Sequence, residues 1–143
     1  MSKVITAKDL AIDLNDGNEV ALFKWFIASF LMGKRIQADI AVQAYRIIVD
    51  KHGRDTPRKL ASQSHRQLVA MLGEAHYVRY DETTASRLSA LAKKIIEDYA
   101  GKITEIRSRS ASRVEFEKRL GEFDGVGPKT IEIFMREAGE VLY

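Results

Sequence analysis

Cysteine is missing from this 143-residue chain. Its absence excludes thiolate metal sites, iron–sulfur clusters, disulfides and Cys nucleophiles. Proline occurs only twice and glycine nine times. They act as punctuation between periodic segments, with no flexible linker, low-complexity tract or internal repeat. No window approaches the roughly 18 to 20 apolar residues that a bilayer-spanning helix requires, and the opening MSKVITAKDLAIDL carries no long apolar run. These absences predict a soluble intracellular protein, cytoplasmic or nucleoid-associated, with no membrane partner. Excess charge of one sign is also small: 23 basic against 20 acidic residues give +3, too little by itself to mark a nucleic-acid binder.

What the chain does carry is helical periodicity from end to end, while strand alternation is scarce. The expectation is an all-α protein, a single domain over 1–143 folded as a compact orthogonal helical bundle and long enough to bury a core without disulfides or metal. A short first helix is predicted near residues 7–14, with Thr6 as its cap and the Asn15-Asp16-Gly17-Asn18 cluster as its stop. The next, about 19–32, is apolar almost all round (Val20, Leu22, Phe23, Trp25, Phe26, Ile27, Phe30, Leu31), which marks a buried central helix ending at Gly33. A third, about 36–51, places Ile36, Ile40, Ala44, Ile47 and Ile48 on one face and closes at His52-Gly53. Pro57 opens a short turn, and Ser64 caps HRQLVAMLG. A long helix over about 83–100 turns Leu88, Leu91, Ala92, Ile95 and Tyr99 inward, and a short turn is expected near 102–107. Ser112 caps RVEFEKRLGEF, and a final helix from Pro128 buries Ile131, Phe134, Met135 and Ala138.

Between the last two helices stands FDGVGPKTIEIF, residues 123–134. Gly125 and Gly127 allow positive φ at two positions, and Pro128 suits the first position of a helix, so the chain should turn sharply and enter that helix with its amides exposed. Such a terminus attracts anions. A dinucleotide fingerprint would need a preceding strand and a glycine at position 130, where Thr130 stands after a helical segment. The phosphate loop of nucleotide triphosphatases needs wider glycine spacing and a Gly-Lys pair. Helix, glycine hairpin, helix is what is left, and it suits a nucleic-acid phosphate. No cofactor is implied.

Positive charge is concentrated locally. Residues 51–66 hold five Lys/Arg against one Asp, and residues 102–119 hold six against three Glu; each cluster is a candidate nucleic-acid surface or an ordinary solvated face. His52, His65 and His76 have no helical metal-pair spacing and suit a helix end, a surface turn and a loop contact. Tyr77 and Tyr80, with Arg79, could stack an extruded base or pack over the core.

The buried ALFKWFIASFLMGKRIQADIAVQAYRII, the TPRKLASQSHRQLVAMLG connection, the helix ending KKIIEDYAG and above all LGEFDGVGPKTIEIF resemble, in order and spacing, the helix-hairpin-helix DNA glycosylase superfamily. The resemblance is to its endonuclease III branch and spans about residues 19–139. It implies that the hairpin binds a DNA phosphate through backbone amides, with Gly125, Val126, Gly127, Lys129 and Thr130 as the matching positions. It also implies that Lys129, directly before the Thr, is a Schiff-base nucleophile toward the sugar of an abasic site. Read from its chemistry alone, Lys129 is either that amine, deprotonated by its surroundings, or a cation on a phosphate.

Three departures qualify the match. The family's essential Asp follows the Lys by some eighteen residues, near position 147, and is not among these residues, so the resemblance is to a member shortened before its catalytic Asp. Lys34 stands where that branch carries a Gln that fills the gap left by an extruded base, with Gln37 close by. Tyr77, Arg79 and Tyr80 replace a Gly-aromatic approach to a Lys-Ala pair. The implied function is DNA binding in base-excision repair, on duplex or damaged DNA, with residual lyase activity at abasic sites. The alternative is a non-catalytic interaction or DNA-binding module that dimerises, or meets a second subunit, through the apolar face of the Trp25 helix.

Overall fold

The computed structural model describes residues 4–143. Among them there are helices and turns and no strand. Helix α1, Glu19–Met32, is the centre of the molecule: ten of its fourteen residues are buried. Asn18 starts it, its Oδ1 accepting the N–H groups of Val20 at 2.8 Å and Ala21 at 3.2 Å, which satisfies two of the four amides that a helix start leaves open. Phe23, Trp25, Phe26 and Phe30 are all fully buried. The face of α1 expected to be left open for a second subunit is therefore closed. Helix α2, Ala38–Tyr45, the later α6, Ile103–Ser108, and α8, Pro128–Leu142, surround it. Replacing Trp25 with Ala would cost about 3–5 kcal/mol on burial alone.

The remaining elements follow local signals in the chain. After α2 the backbone continues through Arg46–Lys51 in a wider π-type winding, with the His52 N–H bonded to the Ile47 carbonyl at 3.0 Å. Helix α3, Pro57–Ala61, is capped by Thr56, and α4, His65–Glu74, by a reciprocal box between Ser64 and Gln67. Helix α5, Asp81–Tyr99, starts and stops at left-handed residues, Tyr80 and Ala100. Ser112 caps α7, Arg113–Leu120. The Glu19 carboxylate reaches across to accept the amides of Ile103 at 2.8 Å and Thr104 at 2.6 Å, so the first residue of α1 also caps α6.

Three expectations on helix limits are corrected. The predicted helix over 7–14 is a single 3-10 turn, Lys8–Leu10, after which Ala11 takes φ 59°. Leu10, Ile12 and Leu14 are buried, and that spacing of two fits an extended path better than a helix. The expected turn at 102–107 is helix α6. The third helix begins at Ala38, and the buried face that it and the π-type segment share is Ala41, Val42, Ala44, Tyr45, Ile48 and Val49, with Ile36, Ile40 and Ile47 at its margin.

Candidate nucleic-acid interface

The segment from Gly121 to Gly127 joins α7 to α8 and is pinned to the core by its apolar residues. Phe123 is buried, meeting Phe26 edge-on at 5.6 Å and stacking near Tyr99 at 6.2 Å; Val126 is buried as well. Asp124, between them, faces outward. Gly125 has φ 81°, the left-handed region, and a Cβ there would lie 2.7 Å from Arg87 Cδ and 3.2 Å from the Phe30 ring. Two independent constraints thus require glycine at 125.

Gly127 differs from the expectation of positive φ. Its angles, φ −108° and ψ −171°, are extended backbone open to any residue, and an added Cβ would meet nothing within 4 Å. Neither conformation nor internal packing requires a glycine. Gly127 is the N-cap of α8, with Pro128 next and the Gly127 carbonyl accepting the Ile131 N–H at 3.1 Å. No side chain caps this helix, so the amides of Lys129 and Thr130 have no intrahelical partner at its positive end.

A cleft of about 690 Å³ opens over this turn. It gathers most of the residues singled out in the sequence: Lys34, Gly125, Val126, Gly127, Lys129 and Thr130 all line it. Thr130 is buried, wedged against Gly33, where a Cβ would fall 2.2 Å from Thr130 Oγ1. Lys129 is exposed, its Nζ 4.0 Å from Glu132. Lys34 is half-buried: its Nζ lies 4.3 Å from the Phe30 ring centroid and donates to the Gly125 carbonyl. Burial, and then the nearby Arg87 guanidinium, hold the Lys34 amine below the ordinary lysine range, while Asp124 opposes the shift. Arg87 reaches into the cleft from α5 and pairs with Asp124 at 3.6 Å.

The other sequence candidates separate. Gln37 is exposed at the N-cap of α2 and does not line the cleft. Tyr77 is buried, 1% exposed, with its hydroxyl 3.3 Å from that of Thr84, and burial raises its phenol above the usual range. It is a core residue and offers no face to a base. Tyr80 is 56% exposed, with the Arg79 guanidinium 5.0 Å from its ring centroid. Lys34 and Arg87 also border a second hollow of about 290 Å³ against Tyr77 and Tyr80. The local basic clusters are only partly paired: Lys59 pairs with Asp55 at 3.2 Å, Arg109 with Glu105 at 3.1 Å, Arg113 with Glu117 at 3.2 Å and Arg119 with Glu115 at 3.4 Å, while Arg54, Arg58 and Arg66 of the first cluster and Lys102, Arg107 and Lys118 of the second form no ion pair among the described residues. Glu74 likewise holds Lys51, and His52 at 2.8 Å. The paired side chains read as solvated surface.

Sequence reasoning missed Arg87 and Gly33. Arg87 is one basic residue among several on a long helix, and only the approach of the turn sets it apart. Gly33 was read as a helix stop, and its close contact with Thr130, 97 residues away, leaves no local signal. Comparison with known proteins finds no matching family model, no matching curated protein and no matching solved structure.

Proposed function

We propose that this chain is a DNA-binding protein of the helix-hairpin-helix glycosylase type, acting in base-excision repair on duplex or damaged DNA. The observation that carries the reading is Gly127. Glycine stands there although neither its dihedral angles nor any neighbouring atom demands it, and it stands at the uncapped start of a fifteen-residue helix. A missing side chain at that point lets an external group come within contact of the backbone. The free amides of Lys129 and Thr130 and the helix dipole select an anion, and Lys129 adds a solvated cation at the rim. A backbone phosphate has the size and charge for that place.

Chemistry at abasic sites is the second element of the proposal, and no cofactor enters it. Lys129, the nucleophile that the resemblance implies, is exposed, with its Nζ 4.0 Å from Glu132 Oε1. A solvent-facing side chain at the rim suits a phosphate contact. Fluorescence anisotropy of a labelled duplex at two salt concentrations tests the binding. Affinity should fall as salt rises, through counterion release. Gly127→Ala should weaken binding about tenfold, the loss of one hydrogen bond to a charged group, with unchanged helix content by circular dichroism. Salt-independent binding, or none in dilute salt, defeats the reading.

A further inference from the structure

We propose that the hollow beside the cleft, lined by Lys34, Arg35 and Arg87, is a separate site for a phosphomonoester, the doubly charged phosphate that ends a nicked or gapped strand; taking a strand end as its source rests on the DNA reading above. The hollow holds about 290 Å³, less than half of the cleft, and Lys34 and Arg87 line both. No carboxylate lines it. Asp81 and Glu82 begin α5 close by in the chain but are engaged elsewhere: Asp81 Oδ1 accepts the Glu82 N–H at 2.7 Å, and Glu82 lies 3.7 Å from His65. Arg35 is exposed and forms no ion pair or side-chain hydrogen bond among the described residues. Arg87 meets one carboxylate, that of Asp124 at 3.6 Å, which lines the cleft and not the hollow, and Lys34 donates to a neutral carbonyl, that of Gly125. Three cations thus line the hollow, opposed by a single carboxylate outside it, and a concave surface of one sign concentrates the opposite charge.

Charge and shape select the same ligand. A phosphodiester within a strand carries a single negative charge, whereas a phosphomonoester carries about −1.5 to −2 near neutral pH and offers three strong acceptor oxygens. One ammonium and two guanidinium groups match the second, since guanidinium forks bond two phosphate oxygens at once. The floor is closed by Tyr77 and Thr84, 1% and 4% exposed, whose hydroxyls lie 3.3 Å apart. A continuous strand cannot pass through such a floor, and a strand end can enter above it. At the rim Tyr80 is 56% exposed and offers a ring on which the terminal base stacks, and Thr83 adds an exposed hydroxyl. An internal phosphate on the α8 amides and a terminal one in the hollow then share Lys34 and Arg87, which makes the chain a reader of interrupted strands. No bond is made or broken in this recognition.

Anisotropy of the full chain with labelled duplexes of one sequence tests the site: intact, nicked with hydroxyls on both sides, nicked with a 5′-phosphate and nicked with a 3′-phosphate. One phosphorylated nick should bind about tenfold tighter than the hydroxyl nick, the effect of added hydrogen bonds between charged groups. Arg35→Gln should abolish that preference while holding intact-duplex affinity within about threefold, and Arg35→Lys should restore part of it. Because Arg35 is exposed and unpaired, both variants should keep the parent's circular dichroism. Equal affinity for all the nicked duplexes, or an Arg35→Gln chain that weakens every duplex alike, overturns the site and leaves the DNA reading standing. If no duplex binds, the DNA reading fails, and phenyl phosphate compared with its methyl ester, followed by nuclear magnetic resonance, examines the hollow alone. Shifts confined to Arg35, Tyr80 and Thr83, stronger with phenyl phosphate and lost in Arg35→Gln, would sustain a phosphomonoester site for a free ligand. Equal shifts with the two compounds, or none, would refute it.

Discussion

Gly125→Ala and Gly127→Ala, two substitutions two residues apart, should part company in stability. At Gly125 the φ of 81° lies where an L-residue is strained, at a cost of about 1–2 kcal/mol. The new Cβ would also press on Arg87 Cδ at 2.7 Å and on the Phe30 ring at 3.2 Å. Arg87 can swing away into the cleft, but Phe30 is fully buried in α1, so overpacking adds about 1–2 kcal/mol. The sum is about 2–4 kcal/mol, and with a urea slope of about 2 kcal/mol/M the unfolding midpoint should drop by about 1–2 M. At Gly127 the backbone is extended and the space empty. Ala there gains from a less flexible unfolded chain and loses as an N-cap, leaving stability within about 1 kcal/mol of the parent. Urea titrations followed by circular dichroism measure both. Equal midpoints for the two variants, or a larger drop at Gly127, would refute the argument that one glycine serves the fold and the other an external contact.

Two further outcomes follow from the core and the rim. Glu19→Ala removes the carboxylate that accepts the amides of Ile103 and Thr104, and should cost about 1–3 kcal/mol; faster hydrogen exchange confined to the start of α6 is its signature, and unchanged exchange there would contradict the capping role. Tyr77→Leu should destabilise the fold and weaken all duplexes alike, whereas Tyr80→Leu should leave urea stability unchanged and selectively weaken binding to an abasic-site duplex by about 1–3 kcal/mol, the worth of one stacked base. Anisotropy with matched and abasic duplexes decides it, and equal weakening by Tyr80→Leu removes its stacking role.

What could be read in the chain was what acts over three or four residues. Ser64 and Ser112 cap the helices that follow them, Pro128 opens α8, and the inward positions of α5, from Leu88 to Tyr99, are buried, because caps and apolar stripes depend on local spacing. The first segment misled for the same reason. Leu10, Ile12 and Leu14 look helical only when grouped with their neighbours, and their anchoring comes from afar: the Ala7 N–H meets Glu137 Oε2 at 2.9 Å, and Arg136 donates to the Ile5 carbonyl at 3.2 Å. The covering of α1 was equally hidden, since α2, α6 and α8 close over it from different parts of the chain. At the site the glycine turn was legible, but Tyr77 and Tyr80, three residues apart, divide between core and solvent. The left-handed φ of 63° at Tyr80 starts α5 and directs the chain there, and no residue pattern announced it.

The end of α1 explains why these distant residues meet where they do. Within one turn it supplies Phe30 beneath the Lys34 amine, Gly33 against α8, and the exit to Lys34 itself. Because residue 33 has no side chain, the first turn of α8 docks directly on the α1 backbone, with Thr130 filling the space a Cβ would occupy. One turn further on, the Trp25 indole N–H donates to the Phe134 carbonyl at 3.2 Å, and Phe26 meets both Phe134 at 5.2 Å and Phe123 at 5.6 Å. Both ends of the glycine turn are therefore fastened to the same buried helix. A backbone positioned by core packing carries little ordering cost into a complex, so even one or two amide contacts to a phosphate can contribute most of their intrinsic strength. The same fastening sets the limits of adaptation. Long side chains at the rim, Arg87 and Lys129, can move toward different ligands, while the amides of α8 and the Lys34 stem are held by contacts that would have to break first.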